Sequence, residues 1–171
     1  MPNAVQMIRQ DHKKVEGLFK KFAQAKNHGA KKRLADQVCQ ELEVHTTLEE
    51  EIFYPAVQKE LGDMQMIEEA EKEHQQAKGI IQELKMMDGE DEQFEEQFSE
   101  LVECIKHHVQ EEESEMLPKA EENEMDLAHY GEQMSERKKE LTGKTRTRRV
   151  KSKAGRKTKP KSRRRRSRRA A

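Results

Sequence analysis

Four histidines and two glutamates carry the chemistry of this 171-residue chain. His45 and Glu49 are one helical turn apart, and His108 and Glu112 repeat that spacing. On a helix, each pair would bring both side chains to one point. The pair alone is a weak signal, because His followed by Glu four residues later also occurs at His12/Glu16 and His107/Glu111. The longer repeat is more specific. HTTLEEEIFYP (45–55) aligns without gaps on HVQEEESEMLP (108–118), with the histidine, two glutamates and the proline at the same offsets. His12 lies 33 residues before His45, and His74 lies 34 before His108. Two copies of one unit, packed about a pseudo-twofold axis, would set two His plus His-x-x-x-Glu groups face to face. That arrangement suits two metal ions, each held by two histidines and bridged by two carboxylates. Imidazoles with hard carboxylates fit iron, and also Mn. His28, His107 and His129 have no such partner pattern.

The elements that must position these residues are helices. Glu, Lys, Gln, Met and Ala dominate, and all favour helix. Asn3 is placed to cap a first helix running to about Asn27. A second is predicted from about Lys31 to Leu61, closed by Gly62. Asp63 is placed to cap a third ending near Gly89, and a fourth runs from about Asp91 to Pro118. A short fifth starts at Asn123–Asp126 and reaches about Leu141. Short links make successive helices antiparallel. The expected fold is all-α, an up-down-up-down four-helix bundle of two repeated hairpins. Its inner stripes follow 3–4 spacing: Ile8, His12, Val15, Phe19 and Phe22; Leu34, Val38, Leu42, His45, Glu49 and Ile52; Ile67, Ala70, His74, Ala77, Ile81 and Leu84; Phe94, Phe98, Leu101, Ile105, His108 and Glu112. Every stripe holds a histidine. Burying them without partners costs several kcal/mol, so a shared metal is the natural partner.

Charge divides the chain. Lys+Arg and Asp+Glu both number 34, for zero net charge. Residues 137–171 hold 19 of the bases and one acid, Glu140, leaving the first 136 residues with 15 bases and 33 acids. The domain reading is a bundle over 1–141 and a Lys/Arg-rich tail over 142–171. The tail is almost devoid of apolar residues and is expected to be disordered. Its charge suits phosphate backbones, giving sequence-independent and salt-dependent association with DNA or RNA. An anionic membrane surface and folding back on the acidic body are the alternatives. No apolar stretch is long enough to span a membrane, and the N-terminus lacks the apolar core of a signal peptide. Cys39 and Cys104 do not make a disulfide framework, which fits a cytoplasmic protein, nucleoid-associated if the tail binds DNA, or a nuclear one in a eukaryote.

The segments DHKKVEGLF (11–19), HTTLEEEIFYP (45–55), EKEH (71–74) and HHVQEEESEMLP (107–118) resemble those of hemerythrin-like proteins with an HHE cation-binding domain. The resemblance implies a non-haem, oxo- or hydroxo-bridged centre of two Fe ions that meets O2, NO or peroxide. The matching ligands are His12, His45, Glu49, His74, His108 and Glu112, with the two glutamates at the bridging positions. Respiratory hemerythrins use a fifth histidine, one turn from another on the third helix. Here the positions flanking His74 by one turn are Ala70 and Lys78. One metal therefore has a position for water, peroxide or a carboxylate such as Glu71 or Glu73. That favours sensing or redox turnover over reversible O2 carriage. A ferritin-like site is disfavoured, because Glu-x-x-His occurs at Glu71/His74 and is replaced by Leu42 and Ile105 before the other two histidines. The function expected is binding or sensing of O2, NO or peroxide. The alternatives are a peroxidase/catalase-like or ferroxidase enzyme, and a nucleic-acid-binding protein whose bundle is a scaffold.

Overall fold

A computed structural model of the chain describes the backbone of residues 3–154 and the side chains of residues 3–143. No strand occurs among the described residues. Four long helical rods form the bundle. The first is α1 (Ala4–Gln24). The second is α2 (His28–Leu48), a π-helical turn (Glu49–Phe53) and α3 (Tyr54–Leu61). The third is α4 (Met64–Met86). The fourth is α5 (Phe94–Glu111), a second π-helical turn (Glu112–Met116) and α6 (Leu117–Glu122). Helix α7 (Leu127–Ala154) then packs along α1 and α2. None of the described helices is long and apolar enough to cross a membrane.

Local chemistry sets the ends. The Asn3 side chain accepts from the Val5 N–H at 2.9 Å, and Asp63 accepts from Met66 at 3.3 Å, the caps their positions predict. Asn27 caps α2 instead of ending α1, so the second rod starts three residues earlier than expected. Gly62 turns the chain in the left-handed region, at φ 70°. Gly89 is needed for space: a Cβ there would lie 2.7 Å from the His28 carbonyl oxygen, and the His28 ring nitrogen Nδ1 donates to the Gly89 carbonyl at 3.0 Å.

The two π turns are the main departure from a plain α pattern. Each opens at a glutamate of the repeat and precedes a proline, Pro55 or Pro118. A proline ring collides with the carbonyl four residues back in an α-helix. Here that carbonyl belongs to Glu51 or Ser114, inside the widened turn. The Tyr54 N–H reaches back five residues to the Glu49 carbonyl, and Leu117 does the same to Glu112. The rods thus pass through their prolines unbroken, and the fourth continues beyond Pro118 to Glu122.

Apolar residues form two clusters, one toward each end of the bundle. One joins Ile8, Leu48, Phe53, Val57, Leu117 and Met134 from several helical segments. The other joins Val15, Phe22, Leu42, Ile81, Phe94 and Phe98, with Phe22 stacked on Phe98 at a 3.8 Å centroid distance. The polar residues buried between them are His12, His45, Thr46, Glu49, His74, His108 and Glu112.

Helix α7 does not end near Leu141 as its sequence suggests. It runs on to Ala154, so 142–154 continue a helix where composition pointed to disorder. Lys and Arg are good helix formers, and extending an existing helix adds one hydrogen bond per residue without a new nucleus. The remainder of the expected disordered tail, 155–171, lies outside the described residues.

A methyl group at Gly62 would meet no atom within 4 Å, so the role of this glycine is conformational rather than steric. Gly62→Ala should cost about 1–2 kcal/mol in denaturant unfolding through the left-handed backbone alone.

Candidate metal centre

All six residues singled out by the repeat meet in the polar layer. His12 comes from α1, His45 from α2, His74 from α4 and His108 from α5, while Glu49 and Glu112 open the two π turns. Each is at most 6% exposed. His12, His45, Glu49 and Glu112 present ligand-competent atoms within 4.8 Å of one another, and so do Glu49, His74 and His108.

The carboxylates lie between the two histidine pairs. Glu49 Oε1 is 3.2 Å from His45 Nε2, and its Oε2 is 3.3 Å from His74 Nε2. Glu112 Oε2 is 3.3 Å from His12 Nε2 and 3.5 Å from His108 Nε2. Each glutamate therefore faces one histidine of either hairpin. Ligands about 2.1 Å from one ion and at right angles around it are about 3 Å apart. The spacing matches donors converging on cations.

Hydrogen bonding points the same way. His12 Nε2, His45 Nε2, both oxygens of Glu49 and Oε2 of Glu112 are buried without a hydrogen-bond partner. Five orphaned polar atoms facing one another would be costly unless a cation satisfies them together.

The far side of each imidazole is held by an acid. Nδ1 of His12 donates to Glu113 at 2.9 Å, that of His74 to Glu50 at 3.0 Å, and that of His108 to Glu73 at 2.9 Å. Asp11 lies 3.8 Å from His45 Nδ1, in ion-pair range but beyond a hydrogen bond. This fixes the tautomer that leaves Nε2 free to ligate. Two of these acids are held in turn by lysines: Lys78 Nζ meets both Glu50 oxygens at 2.6 Å, and Lys138 of α7 meets Asp11 Oδ2 at 2.7 Å.

Glu73, offered by the sequence as filling a coordination position, here accepts from His108 Nδ1 on the outer side, while Glu71 is solvent-exposed. Lys78 is paired with Glu50. Glu50 and Glu113, which α-helical geometry turns about 100° from the glutamate before them, are imidazole partners.

Sequence reasoning missed Tyr54. It is 1% exposed, and its hydroxyl donates to Glu112 Oε1 at 2.9 Å while lying 3.2 Å from His74 Nε2. Five residues after Glu49 is off-face in an α-helix, and the π turn brings it back. The position aligned with it in the second repeat is Leu117, so the centre has a phenol on one side only.

Charge is unevenly spread without metal. Burial and the nearby Glu112 push Glu49 well above the carboxylate range. Glu112 is lowered despite its burial, because His108 and His12 surround it. Burial opposes charge on His12, but Glu112 and Glu49 outweigh it and raise it to about 9. Burial lowers His45 to about 4 and also lowers His74. Burial lifts the Cys39 thiol to about 12, which leaves it unreactive.

A pH dependence follows for the metal-free protein. His12, raised from 6.5 to about 9, stabilises the fold below pH 6.5 and loses that contribution as pH climbs to 9. His45, lowered to about 4, favours the fold above 6.5 and loses that advantage as pH falls to 4. Thermal melts in chelator should therefore give a stability maximum near pH 6.5 with a fall on both sides. A flat profile from pH 5 to 9 would contradict this electrostatic picture.

Comparison with known proteins places the chain in a family. The model for the hemerythrin HHE cation-binding domain matches residues 3–120. The chain is 29% identical over 113 residues to an uncharacterized hemerythrin-like protein of Schizosaccharomyces pombe, covering 65% of this chain and 56% of that one. It is 28% identical over 112 residues to a DNA nickase of Nostoc sp., covering 66% of this chain and 32% of that one. Thus it spans about half and a third of the length of these relatives. The structure superposes on the crystal structure of an HHE cation-binding domain-containing protein from Mycobacterium kansasii with a TM-score of 0.74 and 26% identity, covering 84% of this chain and 90% of the other. With the repeat, the bundle and a match across most of its length, the chain belongs to the hemerythrin HHE cation-binding domain family.

Proposed function

We propose that the chain is a non-haem di-iron protein that binds or senses O2, NO or peroxide. The observation that carries this reading is the set of five partnerless buried atoms on His12, His45, Glu49 and Glu112. His12 and His45 would hold one ion, His74 and His108 the other, and Glu49 and Glu112 would bridge them. Mn fits the same donors. Iron in this place would supply one-electron redox chemistry and affinity for small oxidants.

The Tyr54 hydroxyl adds a hydrogen-bond donor beside the bridge, where it can hold a ligand or fill a coordination position itself. Asp11, Glu50, Glu73 and Glu113 keep each imidazole oriented and raise its basicity. Four imidazoles and a phenol in place of five histidines favour sensing or turnover of peroxide over reversible O2 carriage.

Anaerobic Fe(II) loading followed by metal analysis tests this directly. About two iron atoms per chain are expected, with optical spectra that change on adding O2, NO or H2O2. Glu49→Gln and Glu112→Gln should each lose the binuclear spectrum while keeping helicity. Glu50→Gln and Glu113→Gln should weaken metal retention by about 10-fold or more, acting through His74 and His12. A single bound Zn and no iron uptake would overturn the reading. Evolution of O2 from H2O2 by the loaded protein would assign it enzymatic turnover.

The basic tail is read separately. Residues 142–171 contain 16 Lys or Arg and no acid. We propose that they tether the domain to nucleic acid through phosphate contacts. Binding should lack sequence preference and fall by orders of magnitude between about 50 and 200 mM salt. Deleting 144–171 should abolish gel-shift binding without changing iron content. Equal DNA affinity of the full and shortened chains would rule the tail out.

A further inference from the structure

A cleft between α4 and the end of the fourth rod leads from the surface to the buried layer. It has a volume of about 50 Å³. Glu69, Glu73, Glu111 and Glu115 line it, together with the buried His108 and Glu112. The volume holds a small cation with a few waters. Glu112, one of its lining residues, is 2% exposed, and its partnerless Oε2 lies 3.5 Å from His108 Nε2.

At the rim stands a third group of converging donors. His107 Nε2 is 3.2 Å from Glu73 Oε1 and 3.2 Å from Glu111 Oε1, and the three donor atoms lie within 4.8 Å of one another. His107 itself is exposed, with 65% of its side chain open to solvent. One imidazole and two carboxylates at this spacing match a divalent cation bound on one side and hydrated on the other. Glu73 joins the outside to the inside: its Oε1 faces His107, and its Oε2 accepts from His108 Nδ1 at 2.9 Å.

We propose that Glu73, His107 and Glu111 form an exterior cation site that loads the buried centre through this cleft. The site captures a hydrated divalent cation, the glutamates of the cleft draw it inward as it loses water, and Glu112 receives it. Focusing by like-charged walls raises the local concentration of the opposite charge and speeds association by about 10-fold or more. The proposal rests on the reading that the inner cluster holds metal.

The test compares the wild-type chain with the double variant His107→Gln/Glu111→Gln, which spares Glu73 and its hold on His108. Metal-free protein is mixed anaerobically with Fe(II), and uptake is followed over time by rapid chelator quench and metal analysis. The variant should reach the same final iron content about 10-fold more slowly at low ionic strength, with the difference shrinking as salt rises. Titration of iron-loaded protein with Mn(II), followed by electron paramagnetic resonance, should reveal one weak additional site that the variant lacks. Equal uptake rates, or an unchanged weak Mn(II) site, overturn the loading station while leaving the inner centre intact. Failure of both proteins to retain iron overturns the inner centre and the station together.

Discussion

The structure depends on one constraint: two carboxylates and four imidazoles lie together in one buried layer. Glu49 and Glu112 are at most 2% exposed, and the histidine Nε2 atoms point at them rather than at solvent. Such a layer is unfavourable as a set of neutral or singly charged groups, because protein partners cannot satisfy all of it. A cation converts the same layer from a cost into a tie between four helical rods. The apolar clusters on either side make the tie strong by excluding water, and their aromatic contacts, such as Phe22 on Phe98, hold the rods at the required spacing.

That constraint explains the otherwise odd backbone. A π turn is uncommon, yet one begins at each glutamate of the repeat, Glu49 and Glu112. The turn widens the helix where two side chains, the glutamate and the residue five later, both turn inward. In the first repeat this brings Tyr54 onto Glu112, and in the second it buries Leu117 in the apolar cluster. Pro55 and Pro118 are compatible with the turns because their missing N–H and bulky rings fall where the α ladder is already interrupted.

Much of this was legible in the sequence, for a physical reason. The repeat fixes which residues share a helical turn, and burial cost demands that the polar ones share a partner, so His12, His45, Glu49, His74, His108 and Glu112 could be named. The stripes on α1, α4 and α5 are buried as 3–4 spacing requires. What α periodicity could not supply was anything downstream of a π turn: it points Ile52 inward, while Phe53 and Tyr54 are the more buried residues. The roles of Glu50, Glu73 and Glu113 were equally hidden. In a Glu-rich chain, an acid beside a ligand carries no mark of whether it faces water or an Nδ1. The end of α7 escaped because composition reports the absence of a core, not the ease of extending a helix already begun.

The supports of the four imidazoles break the pseudo-twofold symmetry. Glu50, behind His74, is braced by Lys78 from within the bundle, whereas Asp11, beside His45, is braced by Lys138 of α7. Arg137, one residue earlier, holds Glu51 at 2.7 Å, inside the first π turn. The helix that carries the basic segment is therefore fastened at two points, Asp11 beside His45 and Glu51 in the first π turn. Asp11 is lowered from its usual range despite burial, through His45 and Lys138, so the Lys138 charge is felt along the line Lys138–Asp11–His45. The two histidine pairs are in this sense unequal: the acid beside His45 is braced by Lys138 of the charged C-terminal helix, and the acid behind His74 by Lys78 of α4.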